Sequence, residues 1–140
     1  MIEASRVVLA SREDVWALIA EPFNLSDWWP AYSGVTPDRR GLDEGARWTV
    51  MRSRTPGFLR KPRGEGLIII RRVSFATELA WHDVRQNLDA GIRLDDAGRN
   101  TLATAFVDGP FWRLLAEGVR GVPQHAVARL SDLCQTAAGL

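Results

Sequence analysis

Six short segments with β-strand character follow one another between residues 31 and 107, and this succession constrains the fold more than any other feature of the sequence. Breaks that contain turn-forming residues such as glycine, proline and aspartate separate most of these segments. Their spacing is that of β-hairpins, which predicts a strongly twisted antiparallel sheet. The predicted strands comprise residues 31–36, 47–54, 66–75, 78–85, 87–94 and 101–107.

The N-terminal segment is predicted to add one strand and two short helices. Residues 2–10 are β-branched and partly alternating, which indicates a strand. Ser11 is a good N-cap, and Asp14 can form a capping-box-like pair with it, so a helix is expected to begin here. Pro22 ends this helix and can begin a second one over residues 22–29.

The C-terminal segment is predicted to be helical from Phe111 onwards, because its apolar residues recur at helical spacing. Gly118, Gly121 and Pro123 interrupt this pattern. One kinked helix and two successive helices both fit, and we favour two helices with a nearly continuous axis. The second helix is expected to carry Leu130 on its apolar face.

Composition limits the class of protein. The 140 residues are expected to form a single domain, 1–140, and the net charge of +1 gives no reason to expect a nucleic-acid partner. Cys134 is the only cysteine, and its place on an apolar helix face predicts a buried, inert thiol. No apolar run reaches the roughly 18 residues of a membrane helix, and no basic and then apolar leader is recognisable. We expect a cytoplasmic monomer or homodimer.

Residues that bind metals or activate nucleophiles are scarce. His82 and His125 are the only histidines, and the sequence contains no HExxH, paired CxxC or facial-triad spacing. It also contains no GxGxxG, Walker or GxSxG motif. Neither a metal nor another cofactor is therefore expected.

Four motifs occur in the predicted order of elements. They are ASREDVWALIAEPFNLSDWWP, GARWTV after a glycine turn, AGRNTLATA at the final strand and VARLSDLCQTAAG in the last helix. In this order they resemble the START-like (SRPBCC) superfamily, and within it the polyketide cyclase/dehydrase and lipid-transport group, over essentially all 140 residues. The resemblance implies an α+β helix-grip fold, Bet v 1-like or START-like. In that fold a curved antiparallel sheet of about seven strands wraps around a long C-terminal helix, and a cavity between them binds small apolar or aromatic molecules.

The run NLSDWWPAY, residues 24–32, is a candidate wall of this cavity. The second short helix would lie beside the cavity in the implied fold, which brings Trp28 or Trp29 and Tyr32 near it. Adjacent residues of a helix point about 100° apart, so only one of the two tryptophans is expected to face fully inward. Aromatic filling of the core, with no ligand role, is an equally good interpretation.

Strand alternation assigns further side chains to the interior. The inward sets on the second and fourth predicted strands are Trp48, Val50, Arg52, Leu79, Trp81, Asp83 and Arg85. His82 is then expected at the surface. A pairing of Asp83 with Arg85, within or across strands, is a commoner role for these two residues than catalysis.

Arg71 and Arg72 lie in the apolar strand LIIIRRV and are expected to face opposite sides of the sheet. Ile69 belongs to the more apolar phase, so Arg71 is predicted to face inward together with Ile69. A buried cation needs a partner, which could be Asp83, Glu65 or an acidic ligand group. Aromatase/cyclases of the superfamily are associated with a cavity arginine, a tyrosine and a tryptophan that orient a poly-β-ketone chain. By this resemblance Arg71, Tyr32 and Trp29 could match these residues, and a structural ion pair of Arg71 is the alternative.

Three classes of function are compatible with the sequence. The leading one is binding or transport of a hydrophobic or aromatic small molecule in the cavity between the sheet and the C-terminal helix. Its predicted ligand-binding residues are Trp29, Tyr32, Trp48, Val50, Arg52, Ile69, Arg71 and Trp81. The alternative that the resemblance implies is a polyketide-type aromatase/cyclase or dehydratase, with Tyr32, Arg71 and Asp83 as candidate catalytic residues. The third class is an interaction module that uses the basic hairpin 52–63 as its contact surface.

Overall fold

A curled antiparallel sheet forms the frame of the molecule. The structure is a computed structural model and describes residues 1–52 and 64–138. The strands are β1 (Ile2–Val8), β2 (Tyr32–Thr36), β3 (Arg47–Arg52), β4 (Glu65–Ser74), β5 (Glu78–Asp83), β6 (Leu88–Ala97) and β7 (Asn100–Asp108). Their order in the sheet is β1-β7-β6-β5-β4-β3-β2, so β2 to β7 form a meander and β1 pairs with β7. The predicted antiparallel sheet of seven strands is confirmed.

Short helices follow β1, and a longer helix ends the described chain. They are α1 (Arg12–Ile19), a 3-10 turn (Pro22–Asn24), α2 (Leu25–Trp28), α3 (Phe111–Ala116) and α4 (Val122–Ala138). The side chain of Ser11 accepts a hydrogen bond from the backbone N–H of Asp14 at 3.2 Å, which confirms the predicted N-cap. Gly118 has a φ of +66° and lies between α3 and α4, so the C-terminal segment consists of two helices, as favoured.

The hairpin between β6 and β7 is tighter than predicted. Strand β6 continues to Ala97, which pairs with Asn100, so the loop contains only two residues. Gly98 is the first of these two and has a φ of +67°, which glycine adopts without a steric penalty. The predicted end of this strand at residue 94 is therefore wrong by three residues, because polar residues of the strand resembled a loop.

Helix α4 packs against the sheet through β1 and β7. Its buried side chains include Leu130, which is 0 % exposed, and Cys134. Burial raises the pKa of the Cys134 thiol, and the charge of Asp14 adds to this shift. The predicted burial of Cys134 is confirmed.

Both tryptophans of the WWP motif are buried, so the prediction that only one of them faces inward is wrong. The 100° rule holds for two residues of one helix, but α2 already ends at Trp28. Trp29 has an extended backbone, with φ of −97° and ψ of 108°. The change from helical to extended backbone directs both indoles into the core.

Strand β4 has the opposite phase to the predicted one. Ile68 and Ile70 are fully buried, whereas Ile69 is only partly buried on the other face. The pairing register with β5 shifts between Ile70 and Arg72, which indicates a bulge at Arg71. Both arginines are exposed, since the bulge interrupts the alternation. The predicted inward positions of Ile69 and Arg71 are therefore wrong.

Candidate functional site

A small cavity lies between the sheet and the segment that joins α3 to α4. Its volume is about 10 Å³, which is room for about one water molecule. The residues that line it are Trp29, Ala31, Tyr32, Asp83, Gln86, Leu88, Ala90, Val107, Val119 and Val122. The interior at this place is therefore almost filled by the protein's own side chains.

Three tryptophans form the aromatic wall behind the cavity. Trp29 and Trp81 meet edge to face with ring centroids 4.9 Å apart. Trp28 meets Trp29 at 5.8 Å and Trp81 at 6.1 Å, again edge to face. This arrangement suits the positive edge and negative face of indole rings, so it stabilises the cluster beyond the burial of its area.

The polar part of the cavity is a hydrogen-bonded pair, Tyr32 and Asp83. The hydroxyl of Tyr32 donates to Oδ2 of Asp83 at 2.7 Å, and Nε1 of Trp81 donates to the Tyr32 oxygen at 3.3 Å. The backbone N–H of Gln86 donates to Oδ1 of Asp83 at 3.0 Å. An indole N–H can only donate, so Trp81 donates to Tyr32 and Tyr32 donates to Asp83, and the carboxylate is the final acceptor.

Local structure explains how residues 51 positions apart meet in this pair. Tyr32 begins β2, immediately after the turn that follows the buried tryptophans. Asp83 ends β5, and its carboxylate accepts a bond from the turn that leads to β6. Asn87 in that turn has a φ of +52°, a conformation that asparagine tolerates better than most residues. The carboxylate therefore stabilises a turn and faces the cavity at the same time.

The environment of Tyr32 keeps its hydroxyl protonated. Burial is the main cause that raises its pKa well above 10.0, and the negative charge of Asp83 raises it further. The indole N–H of Trp81 and the charge of Arg52 act in the opposite direction and are weaker. Tyr32 is thus a hydrogen-bond donor near neutral pH and is not available as a base.

Titration of this tyrosine is expected to require unusually alkaline solution. Tyr32 is the only tyrosine, so tyrosinate absorbance reports on this residue alone. In the folded protein the absorbance should appear well above pH 10.0, whereas in denaturant it should appear near that value. The folded pKa is the higher one, so the contribution of Tyr32 to stability is present below the unfolded pKa and is lost as pH rises through the folded pKa.

The variant Asp83→Asn removes one cause of the shift and provides the control for this titration. Its Tyr32 should titrate at lower pH than in wild type but still above the unfolded value, because burial is the larger cause. A wild-type midpoint equal to that of the denatured chain would contradict the buried position of Tyr32.

Charged side chains meet outside the cavity, next to α3. Oε2 of Glu117 lies 3.5 Å from Nη2 of Arg52 and 3.5 Å from Nε2 of Gln86. Nη1 of Arg113 donates to the backbone oxygen of Gln86 at 3.3 Å, and its guanidinium lies over the ring of Trp112. Neither arginine belongs to the residues that line the cavity. These contacts link β3 and the β5–β6 turn to α3.

The structure brings together about half of the residues that the sequence indicated. Trp29, Tyr32 and Asp83 line one cavity, and Trp81 contacts two of them. Trp48 and Val50 are buried, as predicted, but do not line this cavity. The other residues predicted to face inward lie outside the cavity. Arg52 and Ile69 are partly buried, and Arg71 and Arg85 are exposed.

The predicted partners of Asp83 also differ. Arg71 and Arg85 are both exposed, and Arg85 instead donates to the backbone oxygen of Glu65 at 3.0 Å. Among the described residues, the hydrogen-bond donors to the carboxylate are Tyr32 and the backbone of Gln86. The register shift at Arg71 and the end of β5 at Asp83 account for the difference, since alternation does not continue past a bulge or a turn.

Gln86, Val119, Val122 and Glu117 contribute to the site but were not indicated by the sequence. Gln86 lies in a turn, and Val119 lies in the short segment between α3 and α4. Strand alternation and helical spacing make no prediction for such positions. Gln86 lies three residues beyond Asp83, the end of β5, and carried no local signal of its own.

His82 lies on the opposite face of the sheet. Its Nδ1 lies 2.8 Å from Oδ1 of the exposed Asp89, which agrees with the predicted outward orientation. Across residues 1–52 and 64–138, no three or more histidine, cysteine, aspartate or glutamate side chains converge as a metal site would require. No helix in the same residues has the length and apolar character needed to cross a membrane. The hairpin 52–63 lies outside the described residues, apart from Arg52.

Comparisons with known proteins identify the fold. No model of a known protein family matches the sequence, and no curated protein matches it significantly. Solved structures do match over nearly the whole chain, and the likeness shows a Bet v 1-like helix-grip fold.

Three of these structures illustrate the match. A protein from Nitrosomonas europaea has a TM-score of 0.73 at 18% identity, over 99% of this chain and 96% of that one. Ara h 8.0201 has a TM-score of 0.70 at 11% identity, over 96% and 97%. An AHSA1-like protein from Aeromonas hydrophila has a TM-score of 0.69 at 16% identity, over 98% and 94%. The likeness confirms the predicted helix-grip architecture.

Proposed function

We propose that this protein binds or carries a hydrophobic or aromatic small molecule between its sheet and its C-terminal helices. The observation that carries the proposal is a largely apolar cavity at this place with one buried, hydrogen-bonded polar pair, Tyr32 and Asp83. Ligand sites usually combine an apolar enclosure with a few polar groups that orient the ligand. The Bet v 1/SRPBCC-type fold supports the same location.

A ligand larger than water must displace part of the cavity wall, and we place this displacement at the segment after α3, which contributes Val119 to the wall. Phe111, Trp112 and Leu115 on this helix are 76%, 62% and 46% exposed, and Leu114 is its buried residue. An element with so little buried apolar area is held weakly against the rest of the fold. We therefore assign the entrance to α3 and to the segment that joins it to α4.

A plug at this entrance tests the proposal. Val122 lines the cavity and is partly buried, so Val122→Trp should fill the entrance without rebuilding the core. Wild type should bind a naphthalene-type fluorescent dye saturably, and Val122→Trp should weaken that binding at least about tenfold, because the added ring occupies the dye's path. The measurement is a fluorescence titration, combined with native mass spectrometry of freshly purified protein to detect a bound hydrophobic compound.

The matched control is Val7→Trp, the same substitution at an exposed valine of β1. It should leave dye affinity unchanged. Absence of saturable dye binding in wild type, or equal affinity in wild type and Val122→Trp, would contradict a ligand site at this cavity.

The second candidate function is acid–base catalysis of the polyketide cyclase or dehydratase type. The position of Asp83, hydrogen-bonded to Tyr32 at 2.7 Å in an apolar enclosure, favours it, since a buried carboxylate can abstract a proton. Arg71 is exposed and so gives this function no support. Turnover of a poly-β-ketone that disappears in Asp83→Asn, with dye binding retained, would establish catalysis.

A further inference from the structure

We propose that the ligand of this cavity presents a hydrogen-bond donor, a hydroxyl or a protonated amine, to Asp83, and that the cavity discriminates against carboxylic acids. This inference rests on the proposed binding function and specifies its ligand class. It differs from one of the alternatives that the sequence left open, in which an inward Arg71 would have held an acidic ligand group.

The carboxylate of Asp83 has unused capacity to accept hydrogen bonds. Its side chain is 2 % exposed, and each of its oxygens accepts one bond within the described residues, from Tyr32 and from the backbone of Gln86. Two carboxylate oxygens offer about four acceptor sites. A donor group on a ligand can therefore bind Asp83 without displacing either existing partner.

Tyr32 strengthens this preference because its single proton is committed. The hydroxyl donates to Asp83 and its oxygen accepts from Trp81, so Tyr32 has no second proton to offer a ligand. The Tyr32 oxygen can offer a ligand only its remaining lone pair, as a hydrogen-bond acceptor. The Tyr32–Asp83 pair therefore favours a ligand group that donates over one that only accepts.

Positive charge is absent from the described cavity lining, where Asp83 is the one charged side chain. The two nearby arginines are engaged outside it, Arg52 with Glu117 and Arg113 with the Gln86 oxygen and the ring of Trp112. Nε of Arg113 is buried and lacks a partner among the described residues, but Arg113 does not line the cavity. A ligand carboxylate would thus lie beside a buried anion in an apolar enclosure, where repulsion is weakly screened.

The free volume matches a head group and not a whole ligand. About 10 Å³ beside Asp83 accommodates one oxygen or nitrogen atom with its hydrogens, whereas the ligand body requires displacement of the α3–α4 wall. The donor group is accordingly the part of the ligand for which the site is already formed.

Four naphthalene probes that differ only in their substituent test this preference. They are the unsubstituted hydrocarbon, the 2-hydroxyl, the 2-aminomethyl and the 2-carboxylate compounds, titrated against the full chain at neutral pH. We expect the hydroxyl and aminomethyl probes to bind about tenfold more tightly than the hydrocarbon, the scale of one hydrogen bond to a charged group. The carboxylate probe should bind more weakly than the hydrocarbon.

Substitution of the carboxylate should abolish the preference. In Asp83→Asn the four affinities should fall within about threefold of one another, because the charge and part of the acceptor capacity are lost. Asp89→Asn makes the same chemical change on the exposed outer face and should leave the wild-type order intact. Melting curves of both variants establish that they are folded at the titration temperature.

The outcomes separate the inference from the proposed function. If wild type bound all four probes saturably with equal affinity, or bound the carboxylate probe most tightly, the donor preference would be overturned. The proposed binding function would remain. A preference that persists unchanged in folded Asp83→Asn would also overturn it, since another group would then be responsible. Failure of all four probes to bind would overturn both. The wild-type comparison decides the question even where Asp83→Asn does not fold.

Discussion

Leu130→Asp is expected to abolish folding of the domain. Leu130 lies in the middle of α4, is 0 % exposed and belongs to the core cluster against the sheet. The aspartate carboxylate would be buried among apolar side chains of the core. It would also leave part of the leucine's volume unfilled. Each effect costs several kcal/mol, and together they approach the ~5–15 kcal/mol that stabilises a typical domain. Circular dichroism and chemical denaturation of purified protein measure the outcome.

The neighbouring residue Arg129 supplies a matched control. It is exposed on the same helix, so Arg129→Asp introduces the same side chain without burying it. Its melting temperature should remain within a few degrees of wild type. If Leu130→Asp melted as high as Arg129→Asp, the packing of α4 against β1 and β7 would be wrong.

Trp81→Ala is expected to have the second largest effect. The indole of Trp81 is fully buried, contacts Trp28 and Trp29, and donates a hydrogen bond to Tyr32. Its removal leaves a large cavity at the centre of the aromatic cluster and deprives the Tyr32 oxygen of a donor. Substitutions of this kind lower the free energy of unfolding by about 3–5 kcal/mol. Urea denaturation followed by circular dichroism gives the value.

Trp112→Ala is the comparison for this variant, because Trp112 is 62% exposed on α3. It loses only the surface contact with Arg113, so its free energy of unfolding should change by less than about 1 kcal/mol. Similar losses in the two variants would show that Trp81 is not the central residue of the core.

The elements of the fold were predictable because their signals are local. The Ser11 cap, the stop at Pro22 and the interruption near Gly118 each depend on a few adjacent residues, and all three are present in the structure. The alternation in β3 and β5 likewise gave the buried faces of Trp48 and Trp81. Where a pattern of period two runs undisturbed, sequence alone determines which side chains enter the core.

Strand β4 shows where this reasoning fails. The run LIIIRRV is apolar in both phases, so the phase cannot be taken from hydrophobicity, and a bulge at Arg71 then shifts it. A bulge is a property of the pairing between two strands and leaves no reliable mark in either one. The misplaced Arg71 and Ile69 both follow from this single irregularity.

The polar pair of the site was predictable only in part. Tyr32 and Asp83 were each indicated, but their contact at 2.7 Å depends on how three hairpins bring β2 and β5 to the same cavity. Val119, in the segment after α3, and Val122, at the start of α4, enter the wall at positions set by helix packing and not by periodicity. Which of these residues meet at the cavity depends on the tertiary structure and not on residue type.

Because the cavity is nearly filled, the packing that stabilises the folded protein also lowers its affinity for a ligand. Under the proposed binding function, a ligand binds only those molecules in which the wall has already moved aside, so the apparent dissociation constant equals the intrinsic constant divided by the fraction of open molecules. If that fraction is about one in a hundred, the apparent affinity is reduced about a hundredfold. A substitution that stabilises only the closed interior, and leaves the open state unchanged, then raises the equilibrium constant for folding and lowers the apparent affinity for the ligand by the same factor.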